Sequence, residues 1–165
     1  MKINNIELSL YDSSNEAHNK LLKEFESTSK SNYIHSIKER LVNFNTMKTF
    51  PFETSFFVAI NNKIIGYLFI SKCVNDEVYL ENSILKEYRG MGYGKIILND
   101  ISNYLIDNYN IKSIVLDISP SNIASIKTAL SCGYTMDEEE YLDRNMSGKI
   151  LYRLDNYNYV SKRRK

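Results

Sequence analysis

The hydrophobic period of this 165-residue chain changes once, across a short glycine-rich segment, Arg89-Gly90-Met91-Gly92-Tyr93-Gly94. Upstream, residues 55–60, 64–71 and 77–85 are runs rich in β-branched and aromatic side chains. Asn61-Asn62 and Val74-Asn75-Asp76 separate them, and asparagine tolerates the positive φ that tight hairpins require. These three runs read as an antiparallel meander. Downstream, Ile96, Ile97, Ile101, Tyr104, Leu105 and Tyr109 recur on one helical stripe. Residues 114–118 are then almost continuously apolar, as expected of a strand buried on both faces. A strand reached through a helix returns parallel to the one before it. The segment therefore commits the chain to a mixed α/β fold with one parallel crossover.

The remaining elements fit around this centre. Residues 6–10 alternate as a first strand. Residues 15–27 carry Leu21, Leu22 and Phe25 on one helical face, and residues 32–44 repeat the pattern with Ile34, Ile37, Leu41 and Phe44. The polar cluster 27–32 ends one helix and caps the next, and Phe50-Pro51-Phe52 breaks the second. Residues 123–132 read as a short helix stopped by Gly133, and 134–136 and 150–154 as the last strands. One domain over 1–155 and a polar, basic tail over 156–165 are expected.

Composition narrows the function classes. A net charge of +1 gives no global field toward nucleic acid or membrane. Neither a leader-like apolar run after Lys2 nor a stretch near the ~20 apolar residues of a membrane span is present, so a cytoplasmic protein without membrane partners is expected. Cys73 and Cys132 read as free thiols in a reducing compartment, and no metal is called for.

The glycine segment joins a strand to a helix. Its glycines let backbone approach a ligand with N–H groups turned inward, and the helix adds its positive dipole end. Together they suit a pyrophosphate, with Arg89 and Lys95 adding charge-assisted bonds. The spacing is not that of a Walker A loop, because Ile96 follows Lys95. Nor is it a dinucleotide fingerprint, because the third glycine comes one position early and the segment follows a meander. A tight turn without a ligand is the plain alternative.

Further motifs weigh against that alternative. The segment resembles the Arg/Gln-x-x-Gly-x-Gly/Ala turn of the GNAT superfamily of N-acetyltransferases at each fixed position, after a similar lead-in, Ile84-Leu85-Lys86-Glu87-Tyr88. Asn122-Ile123-Ala124-Ser125 and Cys132-Gly133-Tyr134 resemble that family's second block in spacing, and the order of elements agrees. The resemblance implies a mostly antiparallel sheet of six to seven strands, flanked by helices and splayed between the fourth and fifth. It implies acetyl-CoA as acyl-donor cosubstrate, held by Arg89, Gly90, Met91, Gly92, Tyr93, Gly94 and Lys95. Backbone around Ile84 and Leu85 would hold the pantetheine and acetyl carbonyl, with Asn122 and Ser125 beside the arm and thiol. Asn122 also suits a plain helix N-cap. The implied activity is transfer of an acetyl group to a primary amine by direct attack in a ternary complex.

An amine must lose a proton to be acylated. His18 and His35 read as surface histidines. Glu81, on the strand before the turn, and Asp117, within an apolar run that suggests burial and a raised pKa, are the candidate bases, beside a water relay. The family's usual tyrosine acid falls at Ala129, so Ser125 is the replacement that the resemblance suggests, with Tyr134, Tyr141 and Tyr152 as further phenols. The acceptor, a small-molecule or protein amine, stays open. Asp137-Glu138-Glu139-Glu140 lines its mouth or is a solvated loop, and Tyr33, Phe44, Phe50, Phe52 and Phe56 wall the pocket or form core. Other readings are a non-catalytic acyl-CoA-binding or regulatory module, or an acylator of aminoacyl-tRNA that uses Lys162-Arg163-Arg164-Lys165. A homodimer is also admitted.

Overall fold

The computed structural model describes residues 1–28, 54–138 and 148–161. The helix expected over 32–44, the break at 50–52, His35, Tyr141, Glu139 and Glu140, and Lys162 to Lys165 lie outside the described residues. So do four of the five aromatic residues assigned to the pocket wall.

Tight asparagine turns build the first half of the sheet. Strands β1 (Lys2–Ile3) and β2 (Ile6–Ser9) pair across a turn in which Asn4 has φ 49°. Strands β3 (Thr54–Ile60) and β4 (Lys63–Val74) meet at Asn61 and Asn62, with φ 51° and 63°. Strand β5 (Glu77–Ile84) follows Asn75 and Asp76, at φ 53° and 62°. Consecutive positive-φ residues match the right-handed twist of a two-residue hairpin. The meander is thus as expected. Among the described residues the sheet has eight strands where six to seven were expected, because Lys2–Ile3 adds a short edge strand.

Helix α1 (Glu16–Thr28) follows β2, α2 (Tyr93–Asn108) follows β5, and β6 (Ser113–Ile118) comes next. Helix α3 (Ile123–Ser131), β7 (Thr135–Met136) and β8 (Ile150–Asp155) complete the elements of the described residues. Gly133, at φ 87°, closes α3: its N–H donates to Leu130 and that of Tyr134 to Ala129, the paired bonds of a Schellman stop. The strand order is β1-β2-β3-β4-β5-β6-β8-β7, antiparallel except for β5 and β6.

The sheet has two apolar faces. Ile97, Ile101 and Leu105 of α2 pack on Val78, Leu80, Ile114 and Leu116. On the opposite face Leu21 and Leu22 of α1 pack on Phe57, Tyr67, Phe69 and Leu85. Arg153 ties the β5–β8 half together. It bonds Glu77 across β6, Nη2 to Oε2 at 3.1 Å, and pairs with Asp137 beyond β7, so one guanidinium joins β5 and the end of β7 to its own strand, β8. The chain beyond β8 is also held. The side chain of Asn156 donates to the Ile111 carbonyl at 2.8 Å, and Asn110 bonds the backbone of Val160.

His18 corrects the surface reading. It is 2% exposed and stacks on Phe57 with ring centroids 4.2 Å apart. Its Nδ1 accepts the Asp12 N–H at 3.1 Å, which leaves the proton on Nε2 facing Ser9 Oγ at 3.3 Å. Burial lowers the pKa of the imidazole from 6.5, opposed in part by the Asp12 carboxylate. The folded state therefore disfavours protonation more than the unfolded chain does. The stability that neutral His18 contributes is present above 6.5 and lost as pH falls through the lower folded value. The urea midpoint is expected to drop between about pH 7.5 and about pH 5, and to drop less in a His18→Gln protein.

Candidate active site

The site begins where β5 and β6 part. They pair at only three positions, Glu77↔Ser113, Val78↔Ile114 and Tyr79↔Val115. Beyond these, β5 continues to Ile84 and β6 to Ile118 without a shared ladder. On its other edge β5 stays paired with β4 as far as Gly66↔Ile84, and Leu85 N–H donates to Ile65 at 2.8 Å. Alternate residues of an antiparallel ladder bond to one neighbour, and those between face away. Leu85, Ser83 and Glu81 therefore direct their backbone toward β4, while Ile84 and Asn82 direct theirs into the fork. Leu85 is accordingly not a backbone donor to the fork: its N–H is committed and its side chain is buried. Asn82 gave no signal in the sequence, because strand parity is fixed only once the partner strand is known.

A one-turn 3₁₀ helix, Lys86–Tyr88, leads from β5 into the glycine segment. Gly90 and Gly92 have φ 77° and 82°, and a Cβ at either would meet nothing within 4 Å. Gly92 is the N-cap of α2, with no side-chain capping bond. The first N–H groups of a helix have no intrahelical partner, so this end offers donors and a positive dipole to an anion. Gly94 lies where α2 meets β5 and α3: a Cβ there would make ordinary contacts with Ile84 Cδ1, at 3.4 Å, and with the Thr128 side chain. Arg89 folds back, its Nε donating to the Ile84 carbonyl at 2.9 Å.

These parts line one cavity of about 820 Å³. Of the residues singled out from sequence, Glu81, Ile84, Arg89, Gly90, Gly92, Tyr93, Gly94, Lys95, Asp117, Asn122 and Ser125 line it. Leu85 and Met91 do not, and the Met91 side chain is 61% exposed. Asn122 caps α3 by accepting the Ser125 N–H at 3.2 Å, and its side chain also faces the cavity.

The phenols are less favourable. Tyr134 is buried with its hydroxyl 2.7 Å from Ser102 Oγ, and burial raises its pKa far above the ordinary value. Tyr152 is core, opposite Leu116. Ala129 is fully buried, so the expected acid position belongs to the core, whereas Ser125 one turn earlier lines the cavity. Phe56 is also core.

The two carboxylates stand together. Glu81 pairs with Phe69 and shares its α1 side of the sheet. Leu116 and Ile118 face the α2 side, so Asp117 between them faces the α1 side too. Each is two residues beyond the last shared pair, Tyr79↔Val115, so they flank the opening at matching positions. Glu81 is half-buried. Asp117 is exposed, so the burial expected from its apolar neighbours is not found. Lys149, just before β8, also lines the cavity, and its isolated place before a strand gave no signal in the sequence.

The sequence profile of the Acetyltransferase (GNAT) family matches residues 15–134, from α1 through the end of α3. This chain belongs to the GNAT family. An uncharacterized N-acetyltransferase of Methanocaldococcus jannaschii is 29% identical over 84 residues, covering 50% of this chain and 54% of that one. The match thus spans about half the length of that relative. Among solved structures, a ribosomal-protein-S5-alanine acetyltransferase from Vibrio fischeri superposes with a TM-score of 0.72 at 18% identity, over 98% of each chain. The N-acetyltransferase PseH of Campylobacter jejuni, solved with acetyl coenzyme A, gives 0.65 at 15% identity, over 91% of this chain and 98% of its own. At such identities the likeness is one of fold.

Proposed function

We propose that this protein transfers an acetyl group from acetyl-CoA to a primary amine. The observation that carries the reading is the fork itself. A cradle for an anion lies on its α2 side, two carboxylates lie on its α1 side, and both line one cavity.

Acetyl-CoA supplies the acetyl group as a thioester. The chain's own residues then divide the work. The N–H groups at the start of α2, with Arg89 and Lys95, hold the pyrophosphate. Backbone of Asn82 and Ile84 continues the interrupted ladder toward the amides of the pantetheine arm, and Asn122 and Ser125 flank it. Glu81 or Asp117 takes the proton that the amine releases. The Ser125 hydroxyl is the nearest replacement, by position on α3, for the phenol that Ala129 lacks. The buried Ala129 is also the one observation that favours a binding module without turnover.

Titration calorimetry with acetyl-CoA, followed by an assay for amine-dependent release of free CoA, separates the two readings. Binding together with release supports the enzyme, and binding with no release from any amine supports the module. Arg89→Ala is expected to weaken acetyl-CoA by about 1.5–3 kcal/mol, the range for a hydrogen bond to a charged group. An unchanged affinity would remove Arg89 from the cradle.

A further inference from the structure

We infer that the closed end of the fork limits the acyl chain of the donor, and that Leu80, Leu98 and Leu116 hold that limit at a short acyl group. The inference rests on the reading of the fork as the seat of an acyl-CoA and names the donor class that the seat accepts.

The three leucines line the cavity where the two strands come together. β5 and β6 are last paired at Tyr79↔Val115, so Leu80 and Leu116 are the first residues beyond the vertex, one on each arm. Both belong to the core on the α2 side of the sheet, as does Leu98 of α2. All three line the cavity, yet they are only 6%, 8% and 5% exposed. One step deeper, Val78 and Ile114 on the strands and Ile101 on α2 are fully buried and do not line it. The cavity therefore ends on a floor of close-packed apolar side chains.

The length of the donor brings its acyl group to that floor. Ile84 and Asn82 turn their backbone into the fork, and the next residue of the same parity is Leu80. Two residues of a strand span roughly 7 Å, at about 3.4 Å each. In an acyl-CoA, the carbons and sulfur between the last pantetheine amide and the thioester carbonyl form an extended run somewhat shorter than this. With the pantetheine amides level with Ile84 and Asn82, the acyl group arrives against Leu80 and Leu116. A methyl rests on the floor, whereas further methylenes have to push into packed core, which resists added volume. One methylene too many in an apolar pocket discriminates by roughly 10–200-fold. Leu98 is the residue to change, because it comes from α2 and its loss leaves both arms of the fork intact.

Titration calorimetry with free CoA, acetyl-CoA and butyryl-CoA reads the limit without an acceptor amine. Wild type is expected to bind butyryl-CoA at least about tenfold more weakly than acetyl-CoA. Leu98→Ala should bring the two affinities within about threefold, because the space it opens takes up the longer chain. Leu105→Ala is the control. Leu105 is fully buried on the same helix and does not line the cavity, so its loss should lower stability and keep the wild-type ratio. Thermal unfolding checks that each variant is folded, and Leu98→Val, a smaller change expected to narrow the ratio in part, stands in if Leu98→Ala is not. Equal affinities for acetyl-CoA and butyryl-CoA in wild type overturn the inference. An unchanged ratio in a folded Leu98 variant overturns it too, as does an equal shift in Leu105→Ala, which would mean that a loosened core admits the chain. Failure of wild type to bind even free CoA is a different result: it removes the reading of the fork as a CoA seat, and this inference with it.

Discussion

Glu81→Gln is expected to lower kcat by about 10²-fold or more, the low end of what a positioned general base contributes. Asp117→Asn is expected to lose about tenfold, mostly through a higher KM for the acceptor, the mark of lost ground-state binding. The difference follows from their surroundings. Glu81 is half-buried beside Phe69 on a strand whose inner edge opens into the fork. Asp117 is exposed on the opposite arm. A base works best where water does not compete for it, whereas an exposed carboxylate attracts an ammonium without needing to take its proton. Both substitutions keep the shape of the side chain and remove its charge. Neither should move acetyl-CoA affinity, because the cradle is on the other side of the sheet. If kcat instead falls more in Asp117→Asn, the two roles exchange. If neither variant loses more than a few-fold, a water relay takes the proton.

Much of this site was legible locally, and what was not depended on distant pairing. Asn61-Asn62 set a hairpin, and Gly133 stopped a helix, because each acts through its own backbone angles. The turn at Gly90 and Gly92 was legible for the same reason, since both have positive φ. The resemblance implied a cofactor contact from the backbone of Leu85, yet its N–H closes the ladder with Ile65, 20 residues away by the numbering. His18 read as exposed because surface is the default for a histidine on such a helix; Phe57, which it stacks on, comes from β3. Asp117 shows the reverse error. A carboxylate in an apolar run alternates with its neighbours across the sheet, so their burial says nothing about its own. Arg153 joins Glu77 to Asp137 only because β6 lies between β5 and β8, an order that no local pattern encodes.

Gly92→Val is expected to weaken acetyl-CoA by at least about 100-fold while the chain stays folded. Two effects of the substitution have to be separated. Gly92 has φ 82°, where a left-handed residue costs roughly 1–2 kcal/mol and a β-branched one more, so some loss of stability is certain. No atom lies within 4 Å of a Cβ built there, so the added methyls meet no protein wall and project over the uncapped end of α2. That space is where an anion must sit to reach the helix's first N–H groups. Gly133→Val supplies the control. Gly133 has a similar φ of 87°, and a Cβ there makes only an ordinary contact with Leu154 at 3.5 Å. It does not line the cavity. The two variants should therefore lose comparable stability in thermal unfolding, while calorimetry shows a large loss of acetyl-CoA affinity in Gly92→Val alone. Equal losses of affinity in both would mean that backbone strain propagates through α2 and α3 and that the glycine turn is not the seat. A folded Gly92→Val protein with wild-type affinity would place the pyrophosphate elsewhere, and the proposal for the fork would lose its cofactor side.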